Sequence, residues 1–295
     1  MCIISIIAAC LYCNPVPSGY VWDDRAAIVG NADVHGSDPI MDIFKHDFWG
    51  QNIQNYDSHK SYRPLTVLTY RINHMIHGLT AMGFHMGNVV VFMFACIAFY
   101  GCCAMFLKRS VAQLATLLFC LHPIHVESVA SIVGRADALC GVFYCTAIML
   151  YMEACSVSNT TGQSSIRHLF AYVASLLCAI LACLSKEIGI TIFGVFMIIE
   201  VISYFPQQCL QSHSTEESSR PSHKKEVKYP FKIFISGLYD CFTSISSICR
   251  ILISSGCLLV FLYQRLQLHG STTSDGSQSS DVLVLYEWTI LEVWW

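Results

Sequence analysis

The feature that most constrains the fold is an uninterrupted apolar run at residues 86–107, which ends at the basic pair Lys108-Arg109. As a helix, this run would be about 33 Å long, enough to cross the roughly 30 Å hydrocarbon core of a bilayer. Further apolar runs occupy residues 111–121, 138–152, 169–184, 188–205 and 245–263. The sequence therefore predicts an all-α, polytopic transmembrane helix bundle, with about seven crossings when an apolar stub at the N-terminal end is counted.

Composition supports this prediction and excludes other classes of protein. Hydrophobic residues make up 54% of the chain and charged residues only 13%, about half the charged share of soluble domains. The net charge of −3 and the absence of a basic cluster interleaved with aromatic residues argue against nucleic acid as a partner. Most of the 16 cysteines lie inside apolar runs, where they act as small hydrophobic residues rather than as a disulfide framework.

The two ends of the chain have less regular patterns. Residues 1–13 are apolar but too short to cross a bilayer, and we interpret them as a clipped first transmembrane helix closed by Asn14-Pro15. A signal peptide is the competing interpretation, but a basic leading region and a small-x-small cleavage site are both missing. Residues 245–265 form the last predicted span, and residues 266–295 form a divergent tail with a Ser-rich start.

A polar segment at residues 14–85 separates the stub from the first long run. Two stretches within it repeat apolar residues at helical spacing, at residues 38–44 and 65–76, and the second follows Arg63-Pro64. Proline is favoured in the first turn of a helix. We expect two short amphipathic helices that lie on the bilayer surface.

The basic residues of the short loops predict the orientation in the membrane. If Lys108-Arg109 is cytosolic, the alternation of spans places residues 14–85, 122–137 and 185–187 together on the opposite, luminal side. The same alternation makes residues 206–244 a cytosolic loop, and this loop is basic, as expected. Its basic residues up to residue 232 are Arg220, Lys224, Lys225, Lys228 and Lys232.

Two adjacent carboxylates, Asp23 and Asp24, stand near the start of the polar segment. In most proteins such a pair is a helix N-cap or a solvated turn. At a membrane surface it can instead serve group transfer from a lipid-linked donor, with one carboxylate acting as general base toward the attacking hydroxyl. We therefore predict Asp23 and Asp24 as catalytic residues, without assigning the base to either one.

Two basic side chains on the same side are candidates for binding the donor phosphate. Lys186 and Arg135 could stabilise a leaving phosphate through charge-assisted hydrogen bonds. Each has a carboxylate nearby in sequence, Glu187 and Asp137 respectively. The competing interpretation, two self-contained ion pairs that cap helix ends, stays open because ion pairs often imitate sites.

The stretch that contains His122, His125 and Glu127 also suggests zinc, which two imidazoles and a carboxylate could bind. The spacing argues against zinc, because the two histidines flank a proline and no distant third ligand is evident. A hydrogen-bonded loop and a His pair that orients the acceptor are the alternatives. Arg63 and His85 are further loop residues that could support the site.

Six ordered motifs resemble the membrane half of the transmembrane and tetratricopeptide-repeat-containing proteins, over about residues 20–265. They are Val21-Trp-Asp-Asp-Arg-Ala-Ala-Ile-Val-Gly-Asn-Ala-Asp33, Asp47-Phe-Trp-Gly50, Ser58-His-Lys-Ser-Tyr-Arg-Pro-Leu-Thr-Val-Leu-Thr69, Leu121-His-Pro-Ile-His-Val-Glu-Ser-Val129, Ile132-Val-Gly-Arg-Ala-Asp137 and Leu184-Ser-Lys-Glu-Ile-Gly-Ile190. Together the six motifs are highly specific, although each alone is not.

The resemblance implies a multi-pass O-mannosyltransferase of the GT-C fold in the endoplasmic-reticulum membrane. Such an enzyme takes mannose from dolichyl-phosphate mannose, a lipid-linked substrate, and gives it to Ser or Thr of secretory or cell-surface proteins such as cadherins. The acidic pair of the family falls on Asp23 and Asp24, and Lys186 matches by context a lysine near the lipid phosphate. By this analogy no cofactor and no metal ion are needed.

The chain departs from the family at both ends. Against the family pattern, we expect a clipped first helix, no further membrane helices after about residue 265 and no luminal tetratricopeptide repeats. We therefore expect a catalytic head without the repeats that would engage protein acceptors.

Three hypotheses about function result. The first is a membrane-embedded mannosyltransferase module, and the second is a non-catalytic scaffold or isoform that binds partner membrane proteins. A transporter is the third, but the polar groups cluster at one face and not at mid-membrane depth, which argues against a pathway through the bundle.

Overall fold

The computed structural model describes residues 11–14, 16–155, 163–203 and 245–270, and the described part is helical. Its α-helices, in chain order, are α1 Ala32–His35, α2 Pro64–His77, α3 Ala81–Phe106, α4 Arg109–Leu121, α5 His125–Ala130, α6 Arg135–Cys155, α7 Gln163–Ser185, α8 Ile192–Ser203 and α9 Ile245–Gly270. A π-helical turn covers Arg25–Val29, and 3₁₀ turns cover Ile40–Phe44 and Glu187–Thr191. Most of residues 1–13, the whole of the 206–244 loop and most of the 266–295 tail lie outside the described residues.

Four described helices are long and apolar enough to cross a membrane. They are Ala81–Phe106, Arg135–Cys155, Ile166–Ser185 and Ser247–Leu268. The sequence predicted about seven crossings; the run 111–121 forms a helix too short to be among these four, and the described helix within the run 188–205 is shorter than that run. Helix α4 ends where His122 and Pro123 interrupt it, and α8 starts late because Glu187–Thr191 takes the tighter 3₁₀ geometry. The all-α, multi-pass membrane bundle is confirmed.

The structure divides into two compact units. The first contains the described residues up to Thr146 together with Cys178–Ile190 and those from Leu262 onward, and it holds both predicted aspartates. The second contains Ala147–Leu177 and the described residues of Thr191–Phe261.

In the first unit, the polar segment folds into a small domain at the ends of the membrane helices. We call this domain the polar cap: residues 16–85 with the connecting stretches 122–134 and 185–190. It has its own apolar core, formed by Ala27, Ile28, Val34, Ile43, Phe48, Val67, Tyr70, Phe84 and Ile132. The two stretches predicted as amphipathic helices supply part of this core, because Ile43 and Val67 lie on their buried faces.

Helix α2 illustrates how the sequence forms the cap. Pro64 occupies its first turn, and Thr66, Val67, Tyr70 and Asn73 form a buried stripe at helical spacing. The helix ends at Gly78, whose φ of 59° is a conformation that glycine tolerates best.

The second unit is held by a buried ion pair between two of its helices. The Glu200 carboxylate on α8, with a side chain 0% exposed, accepts from Arg250 Nη2 at 2.6 Å and Arg250 Nε at 3.1 Å. Tyr151 Oη on α6 donates to the same carboxylate at 3.0 Å. A buried charge is tolerated only when its partners satisfy it, so this cluster fixes how α8 and α9 pack.

We predict that Glu200→Leu destabilises the protein by about 3 kcal/mol, because it leaves the Arg250 guanidinium uncompensated in an apolar setting. The double variant Glu200→Leu with Arg250→Leu should recover part of that loss, since no unpaired charge is left. Thermal unfolding in lipid nanodiscs measures both.

The matched control is Glu153→Leu, which removes an ion pair to Arg167 in which the Arg167 side chain is 75% exposed and that of Glu153 is 37% exposed. That variant should cost less than about 1 kcal/mol. Equal losses for Glu200→Leu and Glu153→Leu would contradict the assigned role of the buried pair.

Candidate functional site

The two predicted catalytic carboxylates have opposite environments. Asp24 is buried, 2% exposed, and its Oδ1 accepts the backbone N–H groups of Ile132 at 3.0 Å and Val133 at 3.3 Å. Its Oδ2 accepts the Val21 N–H at 3.2 Å. Asp23, the next residue toward the N-terminus, is exposed. The carboxylate of Asp24 therefore serves as a backbone acceptor, whereas that of Asp23 faces outward.

Asp23 lines a cleft of about 270 Å³ at the surface of the polar cap. The lining residues are Val21, Trp22, Asp23, Asp24, Ala130 and Ser131. The cleft thus joins the start of the polar segment to the stretch before α6. The Asp23 carboxylate lies on one wall, and the small side chains of Ala130 and Ser131 form the other.

Ala130 and Ser131 form the far wall of the cleft, and the stretch 131–134 that continues from this wall is fixed from several directions. The Asn88 side-chain amide donates to Ser131 O at 2.8 Å, and Tyr70 Oη donates to Ile132 O at 2.8 Å. At Gly134 a Cβ atom would meet Glu127 O at 2.6 Å, so the turn back onto α5 needs glycine. These contacts make the wall a rigid part of the cap.

Arg135, predicted as a phosphate ligand, is 2% exposed. Its guanidinium donates to Asn88 Oδ1 at 2.7 Å, Asn73 Oδ1 at 3.0 Å and Phe84 O at 2.8 Å, and it lies 4.7 Å from the centre of the Tyr70 ring. It does not pair with Asp137, as the alternative of self-contained ion pairs required. The geometry favours a structural role for Arg135, because its guanidinium N–H groups already donate to acceptors inside the protein.

Lys186 and Glu187 pair with other loops and not with their sequence neighbours. Lys186 Nζ donates to Asp137 Oδ1 at 2.6 Å, and Glu187 Oε2 accepts from Arg63 Nε at 2.9 Å. Arg265 Nη2 lies 3.7 Å from the other Glu187 oxygen. Neither Lys186 with Glu187 nor Arg135 with Asp137 forms a self-contained ion pair, so that interpretation is wrong. The three polar stretches converge as predicted.

The Lys186–Asp137 pair is partly open to solvent. The Lys186 side chain is 24% exposed and that of Asp137 is 40% exposed. Because an ammonium group has three donors, Lys186 retains donors beyond the one that Asp137 takes.

The two histidines of the loop 122–134 contact different neighbours. His122 is exposed and its Nδ1 accepts the Ile124 N–H at 3.2 Å, whereas His125 packs against the Phe119 ring at 4.3 Å. Burial lowers the pKa of His125, and the neighbouring His122 lowers it further. Glu127 is exposed. This geometry fits the hydrogen-bonded loop that the sequence left as an alternative.

His85, the remaining supporting residue, lies on α3 and is 2% exposed. Among the described residues neither of its ring nitrogens has a hydrogen-bond partner. It is therefore enclosed within the cap and does not line the cleft.

Within the described ranges, one group of three potential metal ligands has its ligand atoms within 4.8 Å of one another: Asp33, Asp38 and His46. The sequence did not single out this group. His46 Nδ1 lies 2.9 Å from Asp33 Oδ2, so the buried carboxylate already has a hydrogen-bond partner.

Sequence reasoning missed two contributors to the site. Trp22 lines the cleft beside Asp23, and Asn88 holds its far wall. An exposed tryptophan next to an acidic pair was visible in the sequence, whereas nothing in the apolar run of α3 marked Asn88 apart from its polarity.

The fold and the site define a class of protein. The chain is a multi-pass membrane protein whose cap presents an exposed carboxylate in a cleft, with a partly exposed lysine on an adjoining loop. Sequence comparison then shows which family this is.

Known relatives are protein O-mannosyl-transferases by name. TMTC3 of Mus musculus is 39% identical over 199 residues, which cover 68% of this chain and 21% of the relative. TMTC4 of Homo sapiens is 34% identical over 215 residues, 68% of this chain and 29% of the relative, and TMTC1 of Homo sapiens is 34% identical over 247 residues, 76% and 28% respectively. The chain belongs to the TMTC family.

The chain spans less than a third of the length of these curated relatives. No family model matches it, and no solved structure matches it either.

We predict a pH-dependent loss of stability centred on Glu187. Burial raises its pKa, but the charges of Arg63 and Arg265 outweigh burial and hold the pKa below the ordinary value of 4.5. The unfolded chain therefore binds this proton more readily than the folded one. The stabilisation is complete above about pH 4.5 and is lost as pH falls through the lowered pKa.

Melting temperatures measured between pH 6 and pH 3.5 check this prediction. Glu187→Gln should lower the melting temperature at pH 6 and flatten its dependence on pH, whereas Glu127→Gln, at an exposed site, should leave the curve unchanged. Parallel curves for Glu187→Gln and the unmodified chain would contradict the role of the ion pairs.

Proposed function

We propose that the polar cap is the catalytic head of a protein O-mannosyltransferase. It transfers mannose from dolichyl-phosphate mannose to Ser or Thr hydroxyl groups of secretory-pathway proteins. The observation that carries the proposal is the difference between the two carboxylates. Asp24 accepts backbone N–H groups, and Asp23 is exposed in the cleft. The names of the TMTC relatives support the reaction type.

The reaction is a displacement at the anomeric carbon of mannose. The acceptor hydroxyl oxygen forms the new bond to C1, the bond from C1 to the phosphate oxygen breaks, and its electron pair leaves with dolichyl phosphate. The hydroxyl proton passes to the Asp23 carboxylate, which acts as general base. An exposed carboxylate suits this role because it can approach the substrate, whereas Asp24 cannot leave its backbone donors without opening the loop.

The leaving phosphate needs positive charge, and we assign that role to Lys186. Its partial exposure and unspent donors support the assignment. Asp137 holds the ammonium group in place at 2.6 Å. Arg135 has a positioning role instead, because it fixes the start of α6, the helix from which Asp137 projects.

The donor and acceptor classes extend this assignment. The cap lies at the ends of membrane helices, which favours a lipid-linked donor. The polar head group of such a donor then lies at the height of the cleft. The resemblance to the family favours the endoplasmic-reticulum membrane and cadherin-like acceptors. The mechanism uses no cofactor, since the activated sugar carries its own leaving group.

We predict that Asp23→Asn lowers mannose transfer by about 10² to 10⁴-fold, because the isosteric amide cannot accept the hydroxyl proton. Labelled mannose is supplied as dolichyl-phosphate mannose to membranes that contain the full chain, and its transfer to an acceptor protein is measured. The amount of chain in the membrane should be unchanged.

Asp57→Asn is the matched control, since Asp57 is an exposed carboxylate of the same segment outside the cleft. It should transfer at the rate of the unmodified chain. Retained transfer in Asp23→Asn would refute the assignment of the base. An unmodified chain without transfer would favour the non-catalytic membrane protein that the sequence left as an alternative.

A further inference from the structure

Trp22 combines two features that are rarely found together. Its side chain is 89% exposed, and its backbone φ is +36°, on the side of the Ramachandran map that bulky residues avoid. Strained backbone persists only where the surroundings enforce it, and it concentrates at functional sites. Trp22 also lines the cleft next to Asp23.

The strain at Trp22 is held by the same contacts that bury Asp24. The Asp24 N–H donates to Val21 O at 2.8 Å, and the Arg25 N–H donates to Trp22 O at 3.1 Å. The carboxylate of Asp24 returns to the Val21 N–H at 3.2 Å while it holds Ile132. This tight turn around Trp22 fixes its backbone, so the indole is presented at the cleft rather than packed into the cap.

We propose that Trp22 is the platform on which the mannosyl ring of the donor stacks. This inference rests on the proposed function. If Asp23 takes the proton of the attacking hydroxyl, C1 of the sugar lies next to its carboxylate, and the ring extends over the neighbouring wall. Among the residues that line the cleft, Trp22 is the aromatic one.

The chemistry of the two partners fits. A hexose ring has one face of C–H groups, which carry partial positive charge, and the face of an indole carries the negative part of its quadrupole. During the displacement, positive charge develops at C1 of the mannosyl ring. An aromatic face attracts a positively charged sugar ring more strongly than a neutral one. Stacking therefore favours the transition state over the bound donor, which is the condition for accelerating the reaction.

The competing role for an exposed tryptophan at a membrane surface is an anchor in the lipid interface. An anchor interacts with lipid whether or not the donor carries a sugar, whereas a stacking platform distinguishes the two. A comparison of dolichyl-phosphate mannose with dolichyl phosphate separates these roles.

The test measures equilibrium binding of both labelled lipids to the full chain in nanodiscs, in the Asp23→Asn background so that the donor is not consumed. We expect this background to bind dolichyl-phosphate mannose more tightly than dolichyl phosphate. Adding Trp22→Leu should reduce this preference by about tenfold, whereas Trp22→Phe should keep it within about threefold. Tyr56→Leu, at an aromatic residue 82% exposed and away from the cleft, is the control and should keep the preference.

The outcomes distinguish the two proposals. If Trp22→Leu keeps the preference, or weakens both lipids equally, the stacking role is wrong and the proposed function stands. If the Asp23→Asn background binds the mannosylated lipid no more tightly than dolichyl phosphate, the stacking role is wrong, and the transfer assay of the unmodified chain decides the proposed function separately. Loss of preference in Trp22→Leu with retention in Trp22→Phe supports the platform.

Discussion

The hydrogen bonds from the Ile132 and Val133 N–H groups to the Asp24 carboxylate join parts of the chain 108 residues apart. They tie the start of the polar segment to the turn before α6, and they satisfy backbone donors that would otherwise be buried without partners. Because three backbone N–H groups converge on this one carboxylate, the position of the Asp24 side chain is fixed. The exposed position of Asp23 depends on this anchor, because the same tight turn places one aspartate inside the cap and its neighbour outside.

Burial of charge is the second constraint on the structure. The Arg135 guanidinium is buried, and asparagine side chains and a backbone carbonyl from α2 and α3 accept its hydrogen bonds. The requirement to satisfy a buried guanidinium makes Arg135 a joint between three helices. In the second unit the buried charge is negative, and the Glu200 carboxylate accepts hydrogen bonds from Arg250 and Tyr151.

The sequence predicted the elements of the fold well, because periodicity and length are local properties. The long apolar runs, the proline at the start of α2 and the convergence of three polar stretches all agree with the structure. It could not decide which aspartate is exposed, since that depends on contacts with Ile132 and Val133. Nor could it predict that Glu187 pairs with Arg63, 124 residues away, because adjacent opposite charges made a local pair the simpler interpretation. The proposed roles in transfer go beyond what residue patterns alone can decide, because they depend on a ligand.

We assign different roles to the two aspartates: Asp23 is the exposed carboxylate, and Asp24 is the buried acceptor of backbone N–H groups. Chemical labelling of the unmodified protein tests this difference without any substitution. Carbodiimide-activated amidation of the native chain in nanodiscs, followed by peptide fragmentation that separates residues 23 and 24, gives the reactivity of each carboxylate. Our expectation is that Asp23 is amidated rapidly and that Asp24 is protected until the protein is unfolded, when both react. Equal labelling of Asp23 and Asp24 in the folded protein would contradict it.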